Sequence, residues 1–300
     1  MLNVSIFLFL CLIWGSTWLA IKIGLEGAPA FLSAGIRFTV ASAVLILLTT
    51  FARRWKQPLW KSWRHVLLAA LLTFPITYGL VYWGTQYIES GLAGVLFATM
   101  PFFVAAMAHL MIPDEKLTLL KTSGMLIGFL GICLIFKDSF SAKRALGMWG
   151  MGAIIAASFF SAMGMIVIKK HLHHLDPLPL TASQAVIGAV SLTLLGLIIE
   201  PMSDFRIETK TVGSILYLGI VGTAVAFTLY FYLLRRMEAT RLSLIAFITP
   251  VMALFLGVIY RQESLNSLCI LGSFFVVLGV FVVVMGGNLQ KARQSPAAAE

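Results

Sequence analysis

ESGLAGVLFATMPFFVAAMAHLMIPDEKLTLLKTSGMLIGFLGICLIF, residues Glu89 to Phe136, has a counterpart later in the chain. That counterpart is EATRLSLIAFITPVMALFLGVIYRQESLNSLCILGSFFVVLGVFVVVM, residues Glu238 to Met285. Each copy opens on a Glu and carries a Pro at the same distance, Pro101 and Pro250. Each then reaches a polar break with Glu-x-Leu, at Glu115–Leu117 and Glu263–Leu265. Each ends in an apolar run with two Gly seven apart, Gly124/Gly131 and Gly272/Gly279. The offset is 149 up to the prolines and 148 after the break, so one residue is missing from that loop in the second copy. Few other positions are identical. Ordered landmarks and shared hydropathy therefore make this a duplicated membrane half.

Composition sets the class. The chain is 60% hydrophobic and 11% charged, with mean hydropathy +0.96. A soluble domain is about 25% charged. The apolar runs are continuous rather than alternating, so the pattern indicates helices and not a transmembrane barrel. The formal charge of +10 would suggest nucleic acid in a soluble protein. Here the cations sit mostly between spans and answer to the membrane surface and to insertion. Cys11, Cys133 and Cys269 lie inside apolar runs with no Cys-x-x-Cys spacing, and read as buried thiols.

Ten apolar stretches separate, at roughly 4–23, 31–51, 66–87, 90–112, 118–136, 147–168, 179–199, 213–234, 239–260 and 265–286. Each is near the ~20 residues that cross a bilayer. The first could pass for a signal peptide, but it lacks a basic leader and has a later counterpart, so it reads as a mature span. The fold expected is an all-α membrane protein of ten transmembrane helices, built as two inverted-topology five-helix repeats. The repeats span 1–143 and 144–290, followed by a disordered cytoplasmic tail at 291–300.

With the N-terminus inside, the inner loops carry fourteen Lys and Arg and the outer loops six. That bias places both termini in the cytoplasm. Five helices per half is odd, so the second half enters the membrane upside down. Inverted halves can exchange roles around a midplane site. Other matches agree: Lys22 with Lys169, Arg37 with Gln184, Tyr82 with Phe231.

Several side chains could line such a site. Trp14 and Trp18 share a face of the first helix, beside Ser16 and Thr17. An indole wall with hydroxyls suits an amphipathic organic solute. Small-residue packing explains the same residues, with the hydroxyls bonding their own backbone. The third helix carries Tyr78 and Tyr82 at mid-span, and the eighth carries Phe227 in the matching place. These could line a cavity or fill a core. Pro101 and Pro250 each free a carbonyl four residues earlier, giving a kink or a hinge.

Intramembrane charge is scarce: Arg37, well inside helix two, is the clearest case, and Lys22 sits near the end of helix one. Glu26 and Glu89 are the nearest partners for them in sequence, and Lys22 could snorkel. Glu115 and Glu263 stand at helix starts, where a capping role is expected. No span carries a mid-membrane Asp or Glu, the usual coupling carboxylate. His109 reads as a satisfied packing residue. The HLHHLD run at His171–Asp176 reads as a solvated loop rather than a metal site. No P-loop, Gly-x-Ser-x-Gly or His-Glu-x-x-His occurs. No catalytic residue, metal or cofactor is expected, and the chain is not read as an enzyme.

These landmarks carry a resemblance. Trp14-Gly15-Ser16 with Lys22, Arg37 in helix two, and a Pro in helices four and nine followed by Glu-x-Leu and spaced glycines resemble the drug/metabolite transporter superfamily. More narrowly, the chain looks like a ten-helix exporter with two EamA-type repeats, over about residues 4–286. Helix six departs, with Ser161-Ala162 where helix one has Trp14-Gly15. The resemblance implies a bacterial inner-membrane protein exporting amino acids, related metabolites or drugs. It implies a cavity formed by helices one, three, four, six, eight and nine. Carried onto this chain, the cavity candidates are Trp14, Ser16, Thr17, Trp18, Tyr78, Tyr82, Met100, Pro101, Ser161, Phe227 and Pro250. The partners expected are a small-molecule substrate and the lipid bilayer, with no nucleic acid. Protons are one optional coupling ion, and facilitated export fits the residues at least as well. A multidrug or other-metabolite facilitator is the first alternative. A membrane enzyme or channel is a remoter one.

Overall fold

The computed structural model describes residues 2–88, 90–113, 115–135, 145–252 and 267–294. Glu89 and Glu263 lie outside the described residues, as do residues 136–144 and 295–300. The described residues are helical, without strands. Seven helices have the length and hydropathy to cross a membrane: α1 Leu2–Leu25, α2 Ala30–Phe51, α3 Leu59–Tyr87, α4 Ser90–Met111, α6 Leu146–Leu172, α7 Pro177–Ile199 and α8 Thr209–Leu234. Three shorter apolar helices also occur among the described residues: α5 Leu119–Leu134, α9 Ala239–Met252 and α10 Ile270–Gly286. Backbone helix continues from α10 as far as Gln294. The tail expected from residue 291 is thus helical over its first residues, since NLQKARQ contains no breaker.

The packing follows the duplication. α2 runs against α7, α5 against α10, α3 against α6, and α1 against α8. The α5–α10 seam is made by the landmark glycines. A Cβ on Gly131 would stand 2.5 Å from the Gly272 carbonyl oxygen, and one on Gly124 would stand 2.8 Å from that of Gly279. Without water to drive association, helices in lipid gain stability from such close backbone approach. Large apolar side chains such as Leu47, Leu130, Leu194 and Phe274 remain exposed, as a lipid-facing surface requires.

Helix ends are tied by side chains from elsewhere. Lys22 Nζ donates to the carbonyls of Thr85 (2.8 Å) and Ile88 (3.1 Å) at the end of α3. Lys169 Nζ donates to those of Leu234 and Met237, both at 2.7 Å, at the end of α8. The matched lysines therefore do matched work on orphan carbonyls. Lys22 caps rather than snorkels, because Thr85 and Ile88 offer acceptors within reach. Glu200, ending α7, accepts from the Phe31 and Leu32 amides at 2.9 Å and caps α2. Glu115 accepts from Ala239 N (2.9 Å) and Thr240 N (3.4 Å). It caps α9 and not the helix it precedes, a pairing across 124 residues. His109 Nδ1 accepts the Leu117 amide at 3.2 Å.

Asp176 does two jobs. It accepts from Leu178 N at 3.1 Å as the N-cap of α7. It also pairs with Arg54 at 2.6 Å, whose side chain is 52% exposed. Arg54→Ala should cost less than about 1 kcal/mol, since solvent screens the pair. Asp176→Ala should cost more, at about 1–2 kcal/mol, because the cap is lost too. Thermal melting of both variants in detergent checks the order. An Arg54→Ala loss equal to that of Asp176→Ala would make the ion pair, not the cap, the stabilising element.

Candidate central cavity

The cavity begins with two helices that widen in matching places. Residues Leu72–Ile76 of α3 form a π-helical turn containing Pro75. Residues Ile220–Val225 of α8 form another without any proline. In α3 the missing Pro75 amide explains the wide turn. In α8, Thr223 Oγ1 donates to the Leu218 carbonyl five residues back, at 2.8 Å, and holds the wide turn open. Such turns swing the side chains that follow them. Here those side chains are Thr77, Tyr78 and Val81 on α3, and Phe227, Tyr230 and Phe231 on α8.

All six face one cavity of about 800 Å³ of empty space, its mouth included. α1 contributes Trp14, Thr17, Trp18 and Ile21; α3 adds Thr73; α4 gives Phe97 and Met100. α6 contributes Ser161, Met165 and Ile168, and α9 contributes Leu242, Ser243, Ile245, Ala246 and Thr249. The wall is apolar and ring-rich. Trp14 packs on Phe227 and Tyr230 with centroids 5.4 and 5.1 Å apart, and Trp18 meets Phe97 at 5.6 Å.

The polar content is small. Thr17 Oγ1 donates to the Trp14 carbonyl at 2.8 Å, and Thr77 Oγ1 to the Leu72 carbonyl at 2.6 Å. Each hydroxyl is thus held by its own helix, with lone pairs still able to accept. Thr73 differs. It lines the cavity, but its hydroxyl is buried against Gly164 of α6 and has no hydrogen-bond partner. Among the described residues no three His, Cys, Asp or Glu group to hold a metal. His171 instead stacks on His65 at 4.2 Å.

Of the residues singled out from sequence, the structure brings Trp14, Thr17, Trp18, Tyr78, Met100, Ser161 and Phe227 together at this cavity. Four lie elsewhere. Ser16 faces α8, where its Oγ lies 2.6 Å from the Tyr217 hydroxyl. Tyr82 is fully buried behind the wall, 3.5 Å from Arg37. Pro101 is buried in the first turn of the second segment of α4, after a break near Ala98–Thr99. Pro250 packs within 3.8 Å of the Cβ position of Gly94. Both prolines therefore shape the α4 and α9 backbones and do not touch the cavity. Lys22 caps α3, as described. Arg37 sits directly behind the wall, buried to 1% exposure. Sequence reasoning missed Thr73 and Thr223, whose type and position look ordinary.

Comparison with known proteins comes out on the same side. The family model described as the EamA-like transporter family matches twice, over residues 1–137 and 148–285. An uncharacterized transporter of Bacillus subtilis, YoaV, is 29% identical over 90% of this chain and 92% of its own length. A protein named probable amino-acid metabolite efflux pump, from Salmonella typhimurium, is 26% identical over 95% of each chain. A solved crystal structure shares the fold with TM-score 0.78 at 18% identity, covering 95% of this chain and 98% of that one. The chain is a multi-pass membrane transporter, not an enzyme, and it belongs to the EamA-like transporter family.

Proposed function

We propose that this protein exports small organic metabolites, amino acids or related compounds, across the bacterial inner membrane as a secondary transporter. It has ten spans in two inverted five-helix repeats, with both termini in the cytoplasm. Its mechanism is alternating access: the two halves rock around the central cavity and expose it to one face at a time. One observation carries this reading. The cavity is walled by α1, α3 and α4 from the first half and by α6, α8 and α9 from the second. These are the same three helices of each repeat. A site built from equivalent elements of two inverted halves can open to either face at similar cost. The matched π turns and the matched lysine caps support it. The relative named as an amino-acid metabolite efflux pump supports the substrate class.

The rings would hold the apolar part of a solute. Among the described residues, no acidic side chain lines the cavity. That favours facilitated export, or coupling at a site outside the cavity.

The test is uptake of radiolabelled amino acids into proteoliposomes. Wild type should show saturable uptake of at least one amino-acid class. Trp14→Ala and Phe227→Ala should each lower it at least about ten-fold, equivalent to 1.4 kcal/mol. Leu130→Ala, on the lipid face, should leave it unchanged. Equal loss in all three variants, or saturable uptake untouched by Trp14→Ala and Phe227→Ala, would move the site elsewhere.

A further inference from the structure

Arg37 is the largest fully buried side chain of the molecule's described part. Its partners are all neutral. Nε donates to Thr223 Oγ1 at 2.9 Å. Nη2 donates to the Gly222 carbonyl at 3.3 Å, and Nη1 lies 3.5 Å from the Tyr82 hydroxyl. The guanidinium carbon lies 4.7 Å from the Tyr78 ring centre and 5.5 Å from that of Phe38. Neither Glu26 nor any other described carboxylate pairs with it. Lys121 is equally buried, yet has Glu238 at 3.2 Å. A guanidinium does not give up its proton in a protein, so the positive charge of Arg37 persists.

A buried charge without a counter-charge is costly in a membrane and marks a functional position. The position is one layer behind the cavity. The Gly222 carbonyl that accepts from Arg37 also accepts from Trp14 Nε1 at 3.3 Å. Tyr78, under the guanidinium, is itself cavity wall. In this low-dielectric setting the charge reaches the cavity with little screening. Among the described residues, no lining side chain is acidic.

We propose that Arg37 is the specificity-determining charge of the cavity and that its substrates carry one carboxylate on a largely apolar body. Arg37 acts as a positioning residue, through space and through Tyr78, so that the carboxylate settles on the Tyr78 side of the cavity. A single guanidinium balances a monocarboxylate and leaves a phosphate dianion uncompensated. An amino group on the same solute can rest on the Trp14 and Trp18 faces. A solute with an amine alone meets net repulsion. This rests on the transport reading above, and deepens its substrate class.

The test measures the cavity's potential directly. Cys11, Cys133 and Cys269 are replaced by Ala, and Ser161→Cys places one thiol on the wall. Its modification rates are compared for two methanethiosulfonates, 2-sulfonatoethyl (anionic) and 2-(trimethylammonium)ethyl (cationic), each normalised to free 2-mercaptoethanol. The anionic reagent should be favoured about ten-fold. Arg37→Gln should bring the ratio near unity, whereas Arg37→Lys, which keeps the charge, should retain most of it. A structural role alone would alter both reagents together and leave the ratio in place. In a second arm, proteoliposomes are offered phenylalanine, 3-phenylpropionate and phenethylamine. The two carboxylates should enter and the amine should not. A normalised ratio near unity in the Arg37 protein, or saturable entry of phenethylamine alone, overturns the carboxylate proposal and leaves transport standing. An Arg37-dependent ratio with no entry of any of the three supports the charge assignment and counts against the transport reading.

Discussion

Gly279→Leu is expected to yield no correctly assembled protein, while Gly213→Ala and Gly152→Ala leave assembly and melting unchanged. The reason is what a side chain would meet. A Cβ at Gly279 falls on backbone: the amide nitrogen of Gly128, the Gly124 carbonyl oxygen at 2.5 Å and the Gly128 Cα at 2.6 Å. None of these atoms can rotate away, so α5 and α10 must separate. Separation forfeits dispersion contacts along the whole seam, and in lipid no hydrophobic gain replaces them. Overpacking a flexible core costs about 1–3 kcal/mol, and backbone against backbone lies at or beyond the top of that range. Gly213 and Gly152 have nothing within 4 Å of their Cβ positions. Their added methyls meet lipid or open space, and Ala is the better helix former by about 1 kcal/mol in water. Size-exclusion profile and melting midpoint in detergent decide the matter. A monodisperse Gly279→Leu protein melting near wild type would mean that the α5–α10 seam does not hold the bundle.

The same glycines show how much of the fold the sequence discloses. Gly124/Gly131 and Gly272/Gly279 stood out as landmarks because both copies keep the spacing. Seven residues is nearly two helical turns, so each pair falls on one face, and the two faces meet. Hydropathy likewise placed the spans, because bilayer thickness fixes a length that composition must fill. The cavity was only partly legible. Trp14, Trp18, Tyr78 and Phe227 stood out as rings at mid-span, and they do converge. Tyr82, at the same period, points behind the wall to Arg37. Nothing in a one-dimensional pattern separates the two faces when helices are apolar all round. The wide turn of α8 left no trace either, since α8 carries no proline to mark it. Long-range caps were legible only by half. Lys22 and Lys169 matched by position, but the carbonyls they bind lie more than sixty residues away in each case.

Glu115 is the sharpest instance, and it carries the second large effect. Its carboxylate, 4% exposed, holds the Ala239 and Thr240 amides at the start of α9. Lys169 Nζ stands 3.9 Å away. Beside it, Glu238 pairs with Lys121 at 3.2 Å and Arg241 at 3.4 Å. Glu115→Ala should destabilise by about 3 kcal/mol, leaving buried amides without an acceptor and Lys169 without its carboxylate. Glu115→Gln keeps an acceptor oxygen and should lose only about 1 kcal/mol. The two also separate by pH. Burial raises the Glu115 carboxyl above its ordinary 4.5, against the opposing pull of the Ala239 amide, the Lys169 ammonium and the Thr240 amide, and with Glu238 adding to the rise. The folded state thus holds the proton more tightly than the unfolded chain. The Glu115 contribution to stability is complete below pH 4.5 and falls as pH rises through the raised value. Wild type should therefore lose part of its melting midpoint across that window, and Glu115→Gln, which does not titrate, should lose less. An identical pH slope in the two proteins would assign the titration to another group. The consequence for transport follows from geometry. α9 supplies Leu242, Ser243 and Thr249 to the cavity, and Glu115 fixes where α9 begins. Loosening that cap should degrade the cavity without touching it, so Glu115→Ala should lower transport even at temperatures where the protein remains folded.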